Sequence, residues 1–225
     1  MKKIRNAIYS IIIIFMVSAS ATFFNFGCGG GDKNATVAEL TECKGKVSVN
    51  STAASAGNKL KNDDIVEVEK NSYARIKYMK ENYDFMLYCT EKNKKSSKCQ
   101  IKSAKDGGKT FLMNLMGGLL TFFVPPEEKR DAKLQITADD AIISIHQTQG
   151  KVDNGDDTLT VALAEGKVSV AVNGNEIFVS AGEQLQLNKN KMEIPKVKPY
   201  DIYSKDEQPL YFKDGSGAQM FLNNK

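Results

Sequence analysis

The chain has 225 residues, 41% of them hydrophobic and 26% charged, a balance too apolar for disorder. Its formal charge of +4 is small for a nucleic-acid binder, and a single apolar run excludes a polytopic membrane protein. One histidine, His146, and no tryptophan leave one candidate base for a triad and none for a histidine-rich metal cage.

The first element is an export signal. Lys2, Lys3 and Arg5 form a positive start, Ala7 to Phe24 is almost uncharged around Ile11–Val17, and small residues gather at Ser18–Ala21. The run ends in Phe26-Gly27-Cys28-Gly29, and a thiol after a small residue at this point resembles a bacterial lipobox. That resemblance implies cleavage after residue 27, a diacylglyceryl group on the Cys28 sulfur, palmitate on the new N-terminus, and attachment to a membrane. Asn25 and Phe26 depart from the common lipobox residues, and an ordinary cleaved signal or an uncleaved anchor helix are the alternatives. Gly29-Gly30-Gly31 opens a flexible tether over residues 28–37. Removing residues 1–27 takes away three basic groups and no acidic one, so the mature charge is +1. Six residues precede the apolar run, too few for a cytoplasmic domain. The expected location is the cell envelope, lipid-anchored on the extracytoplasmic side, periplasmic or surface-exposed.

The mature chain reads as all-β. Candidate strands run Lys46–Asn50, Asp64–Glu69, Tyr73–Met79, Asp84–Cys89, Gln100–Ser103, Thr110–Leu115, Leu119–Val124, Lys133–Thr137, Ala141–His146, Thr158–Leu163, Lys167–Val172, Glu176–Ser180 and Gln184–Asn188. Period-two alternation and Asn, Asp and Gly turns between them predict a sandwich, roll or short β-solenoid over residues 38–190. Phe111–Leu120 also fits a helical spacing. Beyond Cys28 the thiols are Cys43, Cys89 and Cys99, and the polar segment between two strand ends makes Cys89–Cys99 the preferred disulfide. Three reduced thiols are the alternative. Residues 191–225, with Pro195, Pro199 and Pro209, predict an extended tail.

Gly45-Lys-Val-Ser-Val49 recurs unchanged as Gly166-Lys-Val-Ser-Val170, and Gly118-Leu-Leu-Thr-Phe-Phe-Val124 is a looser echo. Ala56-Gly-Asn-Lys-Leu60 and Ala181-Gly-Glu-Gln-Leu185 follow the two close copies, which predicts a structural repeat at the two ends of one domain. With Asn62-Asp-Asp-Ile65, Asn71-Ser-Tyr-Ala74, Thr137–Ala141, Ile145-His-Gln-Thr148 and Glu165-Gly-Lys-Val168, the ordered set resembles the FecR domain over roughly residues 38–188. The resemblance implies an extracytoplasmic β module of iron-uptake signalling regulators, here without their cytoplasmic anti-sigma segment. Two departures stand out: Ala138 replaces a proline, and His146-Gln147-Thr148 stands where the family has Arg-Gly-Thr.

Catalysis has little support. Ser144 and His146 share a strand face, but no nucleophile elbow accompanies them. Asp63-Asp64, Asp139-Asp140 and Asp156-Asp157 lack calcium-loop spacing and read as turns. Lys92–Lys98 reads as a solvated hairpin tip, and Tyr73, Tyr78, Tyr83 and Tyr88 as cover for core edges. The expectation is a non-enzymatic envelope lipoprotein without cofactor, metal or nucleic-acid partner. It makes protein–protein contacts with an envelope protein in signalling or envelope organisation, or alternatively binds envelope glycan.

Overall fold

The computed structural model describes residues 35–78, 83–90, 95–105, 110–125, 133–191, 197–199, 211–213 and 219–221. The chain divides into Met1–Gly31 and Asp32–Lys225, and every described residue lies in the second unit. The expected signal peptide, Cys28 and the glycine tether lie outside the described residues. Among the described residues all regular structure is strand, and no helix is long and apolar enough to cross a membrane.

The strands are β1 (Thr36–Lys44), β2 (Val47–Val49), β3 (Thr52–Ala53), β4 (Lys59–Lys61), β5 (Ile65–Val68), β6 (Ser72–Tyr78) and β7 (Asp84–Cys89). They continue with β8 (Ser97–Lys105), β9 (Thr110–Val124), β10 (Lys133–Ala138), β11 (Ala141–Ile145), β12 (Thr148–Asn154) and β13 (Thr158–Glu165). The last six are β14 (Lys167–Val172), β15 (Asn175–Ser180), β16 (Glu183–Asn188), β17 (Val197–Pro199), β18 (Tyr211–Lys213) and β19 (Gln219–Phe221). One sheet orders them β4-β1-β6-β7-β9-β12-β13-β16-β17 and the other β3-β2-β5-β8-β9-β10-β11-β14-β15. β18 and β19 form a separate hairpin.

Strand β9 belongs to both sheets. Its first half pairs with β8 and β10, and its second half with β7 and β12. The buried hydrophobic positions are Met113 and Leu115 before Gly117-Gly118, and Leu120, Phe122 and Val124 after it. This switch from odd to even residues is what a strand must do when it leaves one sheet and enters the facing one, because inward and outward positions alternate along it. Phe111–Leu120 is therefore strand, and the helical spacing arises where two strand registers meet at the glycines. One core, with Leu40, Ile76, Phe85, Ile101, Phe122, Ile143, Val161 and Val170 among its members, fills the space between the sheets. Tyr78 and Tyr83 are fully buried in it, while Tyr73 and Tyr88 pair on the outer face with ring centroids 6.3 Å apart.

The duplicated pentapeptide marks equivalent places. Gly45 carries the chain from β1 into β2, and Gly166 from β13 into β14, each time between sheets and with positive φ (76° and 75°). Downstream, Gly57 N–H donates to Leu40 O at 2.7 Å, and Gly182 N–H to Leu163 O at 3.0 Å. β4 then pairs with β1 as β16 pairs with β13. The second half lays the same elements in permuted order, so one half-sandwich pattern is built twice around β9.

Candidate functional site

Three of the sheet crossings use the same local chemistry. At Gly45, Gly118 and Gly166 a buried hydroxyl occupies the space where a Cβ would stand: Ser72, Ser97 and Thr148 respectively. An added Cβ would lie 2.9 Å from Ser72 Cβ, 2.6 Å from Ser97 Cα and 2.7 Å from Thr148 Cβ. Glycine is required twice over, by the left-handed backbone and by the close approach. The hydroxyls are also fully used. Ser72 Oγ accepts from Lys46 N–H at 2.8 Å and donates to Lys70 O. Ser97 Oγ donates to Tyr88 O at 2.7 Å and accepts from Leu119 N–H, and Thr148 donates to the Glu165 carbonyl. Thr148 stands in the motif position that the sequence already marked, whereas Ser72 entered only as part of Asn71-Ser-Tyr-Ala74 and Ser97 was not foreseen as a site residue. Their signal was the echo at Gly118, the third crossing of the set.

Ser97 also explains the cysteines. Cys43, Cys89 and Cys99 are free thiols, so the expected Cys89–Cys99 bridge is absent from the structure. β7 and β8 lie in facing sheets, and Ser97 is the residue that meets the end of β7 at the Tyr88 carbonyl. Cys99 is two residues further along β8, about 7 Å at strand rise. Burial pushes its thiol up to about 12, while burial and then the Glu42 charge raise the half-buried Cys43.

His146 and Gln147 lie exposed just past β11, and Thr148 turns inward as the corner hydroxyl. The site they open is a hollow of about 440 Å³ lined by His146, Gln147, Lys167, Ser169, Glu176 and Phe178. Adjacent strands align Ser144 with Ser169 and Ser169 with Phe178, and Ile142 with Ala171 and Ala171 with Glu176. The outer face is thus a shallow trough of small residues, with Phe178 52% and Ile142 41% exposed. Lys167 Nζ stands 4.2 Å from the centre of the Phe178 ring, a favourable cation–π position. Lys167, Glu176 and Phe178 were not foreseen as site residues, although the alternation of Glu176, Phe178 and Ser180 already set an aromatic side chain on a polar face.

The structure does not assemble a triad here. Ser144 Oγ accepts from Gln135 Nε2 at 3.3 Å. Asp139 and Asp140 lie at the opposite end of β11, about 20 Å from His146 at strand rise, and Asp139 pairs with Lys189 at 2.6 Å. The other acidic pairs are equally engaged. Asp64 accepts from Lys61 N–H and Asn50, Asp63 pairs with Lys102, Asp156 with Lys95, and Asp157 accepts from Asn190. Within Lys92–Lys98, residues 92–94 lie outside the described residues, and Lys98 pairs with Glu67 at 3.0 Å. From the expected tail, Val197–Pro199 adds a strand to β16.

The order of these elements from β8 to β14 is what the comparisons recognise. Residues 93–169 match the family model described as FecR protein. The match contains the Gly118 and Gly166 corners, Thr148, and the His146-Gln147 departure, so the FecR resemblance holds over this segment. Two crystal structures of a protein from Parabacteroides distasonis, provisionally designated an anti-sigma factor, are similar at 16% identity. One covers 61% of this chain with a TM-score of 0.49, and the other 60% with 0.47. The chain spans about three fifths of those proteins' length, 61% and 60%. No curated protein matches the chain.

Proposed function

We propose that this chain is an extracytoplasmic lipoprotein, anchored through lipid on Cys28, whose FecR-like domain works by protein–protein contact in signalling or envelope organisation. The observation that supports this most is the trough on β11, β14 and β15. An aromatic ring half open to solvent, a cation over it and a floor of Ser and Ala form a surface with anchor-type residues. The FecR-type motifs themselves are consumed by the corners. Thr148 at the start of β12 locks onto the Gly166 corner between β13 and β14, which leaves His146, Gln147 and the residues across from them to vary with the partner.

Binding of envelope glycan is the competing reading. A sugar ring would stack on the face of Phe178, and Lys167 already covers that ring. Crosslinking in native membranes separates the two: a defined protein product through residues of the trough supports protein contact, and retention on glycan alone overturns it. Palmitate labelling that disappears in Cys28→Ser establishes the anchor, and unchanged labelling refutes it.

A further inference from the structure

Among the described residues, three of the four sheet ends are blunted. β4 is three residues long with exposed Lys59 and Lys61, β3 has two residues, and β17 has three and ends in Pro199. Short, lysine-bearing or proline-bearing edges resist pairing with another chain. β15 differs: it has six residues and no lysine or proline, and among the described residues it pairs with β14 alone.

The ladder shows which backbone groups face outward. Ala181 N–H donates to Gly166 O, so the pairs Gly166/Ala181, Val168/Val179 and Val170/Ile177 exchange hydrogen bonds. The alternate residues Glu176, Phe178 and Ser180 therefore turn N–H and C=O away from β14. Ser180 N–H is indeed held by the Glu183 carboxylate at 2.9 Å, which closes that end of the edge. Among the described residues, no strand takes up the outward main-chain groups of Glu176 and Phe178.

We infer that β15 is the self-association edge of the protein, pairing antiparallel with β15 of a second copy about a two-fold axis through Ile177. The inference rests on reading this surface as a protein-contact face and names its occupant. In this register Glu176 of each copy exchanges two main-chain bonds with Phe178 of the other. Glu176 then stands directly across from the other copy's Phe178, beside the Lys167 ammonium that lies over that ring. The complementarity occurs twice, as an isologous contact requires. A slip of one residue would set Phe178 opposite an inward residue. A slip of two, with Phe178 facing Phe178, would need the Ser180 N–H that Glu183 already holds and would move Glu176 away from Lys167.

The register is testable by disulfide trapping of the full chain in membranes, in a Cys43→Ser background. Ile177 faces itself at a Cα separation of about 4.5 Å, inside the disulfide window, whereas two Phe178 Cα atoms lie about 9 Å apart. Ile177→Cys is expected to give a disulfide dimer of twice the chain mass under mild oxidation. Phe178→Cys should give at least tenfold less. Adding Lys167→Glu should remove the dimer, and adding Glu176→Lys to that variant should restore it. Equal trapping at positions 177 and 178, or no dimer from Ile177→Cys, overturns the proposal. Sedimentation of the detergent-solubilised wild type against Glu176→Pro is independent of any cysteine. The N–H lost in that variant points away from β14, so the sandwich is kept and the dimer should be lost; a monomeric wild type overturns the proposal. A photo-crosslinker at position 178 that captures a different protein sinks the self-association but spares the protein-contact reading. Carbohydrate alone, or no product, sinks both.

Discussion

Replacing Gly45 by alanine tests the corner chemistry in isolation. The backbone there is left-handed at φ 76°, which costs an L-residue about 1–2 kcal/mol. The new methyl would sit 2.9 Å from Ser72 Cβ and closer still to its hydroxyl, with the Asn71 carbonyl at 3.2 Å. Ser72 must move, an overpacking of about 1–3 kcal/mol. Its departure orphans the Lys46 N–H, about 1 kcal/mol more. The expected loss is ~3–6 kcal/mol, a large part of the ~5–15 kcal/mol that holds a domain together. Ser72→Ala alone should cost ~1–2 kcal/mol through the lost hydrogen bond. In the double variant the hydroxyl is already gone, so its cost should fall short of the sum by ~1–2 kcal/mol. Gly57→Ala is the control, with φ 92° and open space around the added carbon, at ~1–2 kcal/mol. Urea unfolding midpoints at unchanged m give all four values. Additivity within ~0.5 kcal/mol, or a Gly57→Ala cost equal to that of Gly45→Ala, would refute the hydroxyl-in-place-of-Cβ reasoning.

Other expectations follow from the same structure. Asp84→Ala leaves the Arg75 guanidinium without the carboxylate it grips through Nε and a second nitrogen and should cost ~2–4 kcal/mol in thermal unfolding, whereas Glu69→Ala, in an exposed pair with Lys46, should cost less than ~1 kcal/mol. With Cys28 replaced by Ser, a thiol reagent at pH 8 should find only Cys43, slowly, and should reach the buried Cys89 and Cys99 on unfolding; rapid native labelling of Cys99 would contradict its burial. The Ser96 hydroxyl and then Lys98 hold the Glu67 carboxyl below its usual range, so its contribution is present above the unfolded value of about 4.3 and is lost as pH falls through the lower folded value. The stability gap between wild type and Glu67→Gln should accordingly be open at pH 6 and close below about pH 4 in denaturant titrations.

Much of the sandwich could be read from alternation. Asp84–Cys89 and Lys167–Val172 have the boundaries that the residue pattern implies, the first as a short apolar run between polar segments and the second by strict alternation. β1 and β12 escaped, and the reason is chemical. Thr36–Lys44 carries Glu39, Thr41 and Glu42 with a register shift between Leu40 and Glu42, and Thr148–Asn154 has only Val152 as a large aliphatic residue. Both are strands through tertiary pairing, one beside β6 and the other between β9 and β13, rather than through their own pattern. The duplicated pentapeptide told of a repeat, but no local pattern could tell that Ser72 and Thr148 complete its two copies from 26 and 17 residues away. His146 was legible as the place where the FecR pattern is broken. That Phe178 and Lys167 lie beside it depends on the β11–β14–β15 register, which is a property of the fold.

The protein-contact reading is tested most directly by a photo-crosslinking amino acid at position 178, in the full chain and in native membranes, with position 70 on the other half of the sandwich as control. A discrete protein product from position 178, absent from position 70 and weakened by Lys167→Glu, is the predicted result. Products that carry only carbohydrate, or equal products from both positions, would contradict the account.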